Sequence, residues 1–534
     1  MSQNCHTISF ALTNEGCIKD AFKKHRNDSE QVTMCFKTKL TGIVAAIVAS
    51  LAVATTVSAQ LTADQILDEL VAKGIIQQSE AEQLKNKATN DTPPGIKLKM
   101  SEAIKSVEFF GDLRMRYEYR SAHLDPSSGA TYDTANRWRY ALRLGVRGDL
   151  VDDFYYGLRL ETSQNERSTW NTFGSVGTSP YNGPYSKSSY SLYIGQVYLG
   201  WRPTSWLDIS MGRVPQPLYT TPMVWDSDYT PEGLVEKIKF TSGPVDYFAT
   251  LGQYIYQDAT PSSDYQIQGG SAAGNFLGDW SDHDAFLMAW QLGLTYHLNT
   301  NFSAKVAPVF YNYVGHGNAS AGFYGPFVGQ GIGGFTFYPG SSTSGVPGAF
   351  GTVTSYNQTG INDLTIIELP IEVNFKVGSL HAKAFGDFSV NLDGNNRARS
   401  AYYAAPSAFP GGVQLNQDQA MQLGLAVGNN LGLVYGTTSK KGTWEARAYW
   451  QHVEQYALDP NLLDSDFFEG RGNLQGLYTA FAYSFTDGII GTVRYGVAAR
   501  IDNQLGTGGY NADLPLPNPI TRFQILQLDA TWRF

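Results

Sequence analysis

Cysteine is almost absent from this sequence. The chain of 534 residues has only 3 cysteines, at Cys5, Cys17 and Cys35, so residues 36–534 contain none. Without cysteine, residues 36–534 can form no disulfide framework. The stability of this part of the chain must therefore come from hydrogen-bonded architecture.

Charge is also scarce, and it is not basic. Asp, Glu, Lys and Arg make up 16% of the chain, against roughly 25% in ordinary soluble domains. The formal net charge of −9 argues against a nucleic-acid partner, which would need a basic field. The abundant residues are Tyr (32), Phe (28) and Gly (55), which favour short strands and aromatic girdles over helices.

Long apolar runs are confined to the N-terminus. Lys37 and Lys39 precede an apolar run at 40–57, which ends in Val57-Ser58-Ala59. This pattern predicts a signal peptide over residues 1–59, used for Sec export and cleaved before residue 60. The alternative is a single membrane helix. Residues 1–33 look like neither, so Met34 is a plausible true start and 1–33 a mis-annotated extension.

Residues 60–103 have a helical pattern. Two capping boxes predict short helices at 62–73 and 80–88, joined by a tight turn at Gly74. A linker with two prolines follows at 89–95. We interpret this leader as a periplasmic spacer, with self-association or cell-wall contact as the alternative.

The C-terminal segment 523–534 alternates strictly between apolar and polar residues. Leu526, Leu528, Ala530, Trp532 and Phe534 share one face of the predicted strand. Trp532 and Phe534 at its end suit a membrane–water interface. The segment resembles the closing strand and assembly signal of bacterial outer-membrane β-barrels. That resemblance implies insertion by the barrel-assembly machinery, next to outer-membrane lipid and lipopolysaccharide.

Similar alternation recurs along residues 104–534 and predicts sixteen strands. The predicted strands are 105–121, 136–149, 153–166, 189–202, 206–215, 234–242, 244–257, 285–298, 302–314, 363–377, 379–391, 419–435, 442–456, 472–486, 488–502 and 521–534. Connections after even strands are short and those after odd strands are mostly long. A soluble sandwich has no reason for this alternation. The sequence therefore predicts an all-β fold, a transmembrane antiparallel β-barrel in the outer membrane of a Gram-negative bacterium.

Two stretches resemble a family of putative porins. They are the leader from Ile66 to Glu82 and the segment Trp225-Asp-Ser-Asp-Tyr-Thr-Pro-Glu-Gly-Leu234. In general porins of sixteen strands the third long loop folds inward and narrows the pore. The resemblance therefore implies a constriction loop containing Trp225, Asp226, Asp228 and Glu232. It also implies a homotrimer, by analogy.

Arginine dominates the polar face of the first three predicted strands. Eight arginines should point into the lumen: Arg114, Arg116, Arg120, Arg137, Arg139, Arg143, Arg147 and Arg159. In a barrel of sixteen, the tenth strand lies opposite the second and offers Glu368 and Glu372. Facing charges would set a transverse field that governs ion selectivity. The alternative is that some arginines merely pair with Asp112, Glu118 and Glu161.

No enzymatic motif is present. The histidines after residue 59 belong to no Gly-x-Ser-x-Gly, His-Glu-x-x-His or Cys-His arrangement. The acidic stretch 279–284 is a weak candidate for a divalent cation, and we expect no cofactor. The sequence thus predicts a porin for passive diffusion of small hydrophilic solutes and ions. The alternatives are a substrate-specific channel and a non-transporting barrel, either an enzyme or a structural anchor.

Overall fold

The computed structural model describes residues 101–124, 132–163, 168–174, 192–257, 285–315, 364–404, 411–436, 439–459, 462–507 and 520–534. The signal peptide, the leader helices and the acidic stretch 279–284 lie outside the described residues. One closed antiparallel sheet accounts for nearly all of the described secondary structure. The residues form the predicted all-β barrel.

Sixteen strands form the wall of the barrel. They are β1 Glu108–Leu124, β2 Tyr132–Asp149, β3 Phe154–Thr162, β4 Leu192–Thr204, β5 Leu207–Arg213, β6 Glu232–Ser242, β7 Val245–Gln257, β8 Ala285–Asn299, β9 in two pieces (Phe302–Val306 and Val309–Gly315), β10 Thr365–Val377, β11 Leu380–Asn391, β12 Gln419–Gly428, β13 Trp444–Val453, β14 Leu474–Ser484, β15 Ile489–Arg500 and β16 Ile520–Arg533. A two-residue strand, Asn171–Thr172, pairs with β2 beyond the end of β3.

Several strand boundaries differ from the prediction, including the following three. The strand predicted at 302–314 is interrupted at Ala307 and Pro308, since proline has no N–H for the ladder. The strand predicted at 153–166 ends at Thr162. The strand predicted at 419–435 ends at Gly428, because the following residues turn into the barrel, where Leu433 and Val434 are buried.

The barrel closes where the first strand meets the last. β1 pairs with β16 in antiparallel register, with Asp112 opposite Arg533. At the end of this seam the backbone N–H of Gly111 donates to the Phe534 carbonyl at 3.0 Å, and the N–H of Phe534 donates back at 3.2 Å. Trp532 and Phe534 are 50% and 41% exposed on the outer face, with ring centroids 5.0 Å apart. The last residue thus completes the ladder.

Short connections lie at one end of the barrel. β6 and β7, and β10 and β11, are each joined by two residues, and the glycine in each turn, Gly243 (φ 58°) or Gly378 (φ 62°), is left-handed. The connections from β1 to β2, β3 to β4 and β7 to β8 are longer and lie at the other end. The first strand, β1, begins at the short-turn end, and the last strand, β16, ends there. This matches the predicted plan of an outer-membrane barrel.

Apolar side chains cover the outside, whereas the buried core lies inside the barrel. Exposed outward residues include Leu292, Leu423 and Met211, each more than 60% exposed. The core forms where the connections 214–231 and 454–473 fold against the inner wall, and it includes Trp225 and Phe467. A helix, α1 (Gly394–Ala404), lies in the connection after β11. In the part of the chain that is described, no helix is long and apolar enough to cross a membrane.

Candidate functional site

The eight arginines singled out from the sequence fall on the inward-facing positions of β1, β2 and β3. Glu118, which is fully buried, lies in the middle of four of them. Its carboxylate is 2.6 Å from Arg137, 3.0 Å from Arg120, 3.5 Å from Arg139 and 3.6 Å from Arg116. Much of the arginine charge is therefore neutralised within the same wall, as in the alternative reading of the sequence.

A second long connection, residues 454–473, also folds into the barrel and supplies more carboxylates. Asp466 is 3.0 Å from Arg116 and 3.2 Å from Arg120, and Glu469 is 3.0 Å from Arg120. The backbone carbonyl of Ser465 accepts a further bond from Arg120 at 3.0 Å. This connection was not predicted to be part of the site. Its run of acidic and aromatic residues at 464–469 is the signal that could have identified it.

The closing strand contributes one more carboxylate. Asp529, on the polar face of β16, accepts from Nε of Arg116 at 2.8 Å and also pairs with Arg494. The Arg116 guanidinium lies over the Trp170 ring, 4.1 Å from its centroid. Arg116 is therefore held by three separate segments, and only its own position was predicted.

The connection 214–231 lies inside the barrel. The Trp225 ring is 4% exposed and lies 5.9 Å from the ring of Tyr254 and 6.4 Å from that of Tyr311. Its Nε1–H donates to the carbonyl of Tyr229 at 3.1 Å. Asp228 pairs with Arg143 of β2, while its second oxygen accepts from the Thr169 hydroxyl at 3.5 Å. Trp225 and Asp228 thus lie where an inward-folded loop would place them.

Asp226 ties this loop to the connection 454–473. Its carboxylate accepts from the backbone N–H and the hydroxyl of Ser465, both at 3.1 Å, and from the N–H of Asp228 at 2.9 Å. Its own N–H donates to the Leu462 carbonyl at 2.6 Å, and the N–H of Asp464 donates to the Pro222 carbonyl at 3.2 Å. We call these contacts the loop junction.

Ionisation is perturbed at the loop junction. Burial and the neighbouring charge of Asp228 raise the pKa of Asp226 to about 7. Burial, together with Asp226 and Asp466, raises the pKa of Asp464 well above its usual range. Burial also acts to raise the pKa of Asp228, but Arg143 and Arg114 hold that pKa below its usual range. The loop junction therefore places carboxyl groups with raised and lowered pKa values next to each other.

Glu368 and Glu372 bind the loop, whereas the sequence predicted that they face the arginines of β2 across the lumen. Thr220 and Tyr311 donate to Glu368 at 2.6 and 2.5 Å. Tyr219 donates to Glu372 at 2.5 Å, and Lys383 lies 2.8 Å from the same carboxylate. Because they are occupied by these partners, the two acids anchor 214–231 to the wall opposite β2.

Glu232 does not lie in the interior, and this part of the constriction-loop prediction is wrong. It begins β6, pairs in register with Arg213 of β5, and their charged groups are 2.7 Å apart. Alternation along β6 places Glu232 on the same face as the outward Leu234, whereas the buried Val235 faces inward. The inward-facing loop therefore ends before Glu232.

An open cavity of about 690 Å³ lies toward the short-turn end of the barrel. Seven arginines and four carboxylates line it: Arg114, Arg116, Arg143, Arg147, Arg159, Arg494 and Arg533, with Glu108, Asp112, Asp487 and Asp529. Arg147 and Glu108 form a pair 2.7 Å apart at its rim, where both side chains are at least half exposed. Five predicted pore-lining arginines thus share one cavity. Arg120, Arg137 and Arg139 do not line it.

Within the described ranges, no three His, Cys, Asp or Glu side chains are grouped so that they could hold a metal ion. The interior polar groups pair mainly with one another as arginine–carboxylate contacts. Such an arrangement can attract or exclude charged solutes electrostatically.

Comparisons with known proteins find weak structural likenesses and one family match. No curated protein matches the chain. Similar solved structures include OprB of Pseudomonas putida (11% identity, 80% of this chain and 94% of that one, TM-score 0.43). They also include an anion-selective porin from Comamonas acidovorans (10%, 80% and 99%, TM-score 0.39) and OmpT of Vibrio cholerae (10%, 82% and 99%, TM-score 0.37). Such weak likenesses carry no argument about what this chain transports.

The model of one protein family matches the first part of the barrel. That family is described as "Putative porin", and the match covers residues 114–321. The matched segment includes the arginines of β1 to β3 and the inward loop with Trp225 and Asp228. Over this segment the chain is similar to the putative porin family.

Proposed function

We propose that this protein is an outer-membrane channel through which small hydrophilic solutes and ions diffuse passively. The observation that carries the proposal is the polar cavity inside a closed barrel whose outside is apolar. A bilayer-spanning barrel with a charged, water-accessible interior has the construction of a diffusion channel. The chain reaches the outer membrane by Sec export, with cleavage of residues 1–59.

The cavity favours anions. Seven arginines and four carboxylates line it, so its own wall carries an excess of positive charge. Arginine remains protonated at every physiological pH, so this excess does not titrate. Several of these arginines are partly neutralised by Asp228, Glu161 and Asp466 just outside the cavity. The expected preference for anions is therefore modest.

A second candidate is a channel selective for one class of solute. It is favoured by the packing of 214–231 and 454–473 against each other and against the inner wall, which narrows the interior. A narrow, charged passage can bind its solute on the way through, whereas a wide one only sieves by size.

Recordings from purified full-length protein in planar bilayers test both candidates. We expect stable single channels, with reversal potentials in a salt gradient that indicate a mild anion preference. Conductance that saturates with one solute, at concentrations where chloride current does not, would favour the selective channel. Absence of conductance from correctly folded, heat-modifiable protein would refute both and leave a non-transporting barrel.

A further inference from the structure

One connection folds into the barrel from the short-turn end. After β12 the chain turns inward at residues 429–436, which we call the inner turn. Buried Glu445 of β13 accepts hydrogen bonds from the backbone N–H groups of Gly432 at 2.8 Å and Val434 at 3.0 Å. The Val434 carbonyl in turn accepts from Nη2 of Arg494 on β15 at 2.9 Å. Two strands therefore fix the position of the inner turn against the wall.

The inner turn presents an aromatic ring to the cavity. Leu433 and Val434 are buried, whereas Tyr435 is 48% exposed and lines the open cavity of about 690 Å³. One face of the Tyr435 ring is covered by the guanidinium of Arg447, 4.4 Å from the ring centroid. An ion pair of 2.8 Å with Glu445 fixes that guanidinium. Because a cation draws electron density toward one face of the ring, the open face is suited to offset stacking with an electron-rich ring.

An arginine without a carboxylate partner lies beside this ring. Arg533, on the inner face of β16, lies against Gly436, where an added methyl group would be 3.9 Å from the arginine Nη1. Among the described residues, no carboxylate forms an ion pair with the Arg533 guanidinium. Asp487 lines the same cavity, but one of its carboxylate oxygens accepts from the backbone N–H of Lys441 at 2.8 Å. The charge of Arg533 is therefore available to a solute in the cavity.

The wall around Arg533 adds polar groups without adding a second free carboxylate. Thr531, two residues from Arg533 on the inner face of β16, lines the same cavity with its hydroxyl. Asp529, the next inward residue, is shared by Arg116 and Arg494. The wall beside Tyr435 therefore combines an aromatic face, a hydroxyl group and an excess of positive charge.

We propose that Tyr435 and Arg533 form a binding site for small aromatic carboxylates, an inference that rests on the channel function proposed above. The aromatic ring of the solute stacks on the open face of Tyr435. Its carboxylate pairs with the guanidinium of Arg533, which presents a rigid fork of donors. A neutral sugar would use the aromatic face but not the charge, and an aliphatic carboxylate would use the charge but not the aromatic face. We call this pair of residues the Tyr435 site.

Block of the chloride current tests the site in purified full-length protein in planar bilayers. The two probes are benzoate and cyclohexanecarboxylate, which carry the same charge and have similar size but differ in aromaticity. We expect benzoate to reduce the current at a concentration roughly three- to tenfold lower than cyclohexanecarboxylate, because only benzoate gains a stacking interaction. Equal half-blocking concentrations in a channel that conducts chloride would overturn the inference and leave the proposed channel function intact.

Substitutions assign the two parts of the interaction. Tyr435→Leu keeps an apolar side chain but cannot stack, so the difference between the two probes should disappear, whereas Tyr435→Phe should retain it. Arg533→Gln should weaken the block by both carboxylates. Tyr198→Leu is the matched control, since Tyr198 lines the same cavity from β4 and its loss should leave the difference unchanged. A difference that survives in Tyr435→Leu, or is lost equally in Tyr198→Leu, would refute the site.

A binding measurement separates this inference from the channel function. Saturation-transfer difference NMR on the folded protein in detergent detects benzoate binding without any current. We expect a signal from the benzoate ring that is lost in Tyr435→Leu and retained in Tyr198→Leu. If the protein conducts no chloride but shows this pattern, the channel function fails and the Tyr435 site stands. Absence of the signal from the wild-type protein would overturn the site whether or not the protein conducts.

Discussion

The loop junction should respond to pH, because Asp226 is buried there with a raised pKa. Its carboxyl faces Asp228 on its own loop and Asp464 and Asp466 on the other loop. Arg143 compensates the charge of Asp228, and Arg116 and Arg120 compensate the charge of Asp466. Asp226 holds its proton more tightly when the loops are docked than when they are apart. Docking is therefore strongest below a pH of about 4. It weakens as the pH rises toward about 7, where the docked carboxyl loses its proton.

The size of the effect follows from the pKa. The pKa of Asp226 is about 7 with the loops docked, against 3.8 for an unperturbed aspartate. At 1.36 kcal/mol per pH unit, the free energy of docking becomes less favourable by up to about 4 kcal/mol as the pH rises through this interval. Above pH 7 Asp226 contributes no further change. The raised pKa of Asp464 acts in the same direction.

Single-channel recording between pH 4.5 and 7.5 measures the consequence. We expect low conductance or long closed times at pH 4.5 and larger or more frequent openings at pH 7.5. Asp226→Asn keeps the hydrogen bonds from Ser465 but removes the titration, so most of the pH dependence should disappear and the closed behaviour should persist. Asp152→Asn, in an exposed turn, is the control and should behave like the wild type. A wild-type response retained in Asp226→Asn would refute the reasoning.

Other substitutions test closure, the buried charges and selectivity. Deleting Phe534 removes the last backbone bonds to Gly111 and should lower the amount of heat-modifiable protein in the outer membrane, while Phe534→Tyr should not; normal levels after deletion would contradict this. Glu118→Gln removes the carboxylate that four arginines share and should lower the free energy of unfolding by about 3–5 kcal/mol in urea titrations, whereas Glu108→Gln at the exposed rim should cost at most about 1 kcal/mol. Replacing Arg139 and Arg143 with Gln should shift reversal potentials toward cations, and replacing Asp226 and Asp228 with Asn should shift them toward anions. Both shifts should be larger at low salt, and unmoved potentials would exclude these residues from the conducting path.

The strands could be predicted because their pattern is local. Alternation in segments such as Leu526–Phe534 depends only on which residues face lipid and which face the interior, so it appears directly in the sequence. Turn glycines such as Gly243 mark the short connections in the same way. Pro308 lies within the strand predicted at 302–314, but the apolar alternation continues on both sides of it. The interruption at this proline was therefore not predicted.

The partners of the interior charges could not be predicted, because they come from segments far apart in the chain. Asp466 reaches Arg116 across 350 positions, and Asp529 reaches it across 413. Alternation tells that Arg116 points inward but not what folds against it. Glu232 was wrongly assigned to the inward loop because the residues just before it belong to that loop. Glu232 itself is already part of β6 and pairs in register with Arg213 of β5.

The inward-facing arginines of β1 to β3 therefore have a structural role in addition to their effect on ion selectivity. Arg120 and Arg143 hold the two inward connections through Glu469 and Asp228, and β10 holds the first of them again through Glu368. An arginine whose charge is compensated by a loop carboxylate contributes less net field to the lumen than an uncompensated one. The field that a passing ion meets should come from the less compensated groups of the cavity, among them Arg533. Selectivity is thus expected to depend more on the short-turn mouth of the barrel than on the loop junction.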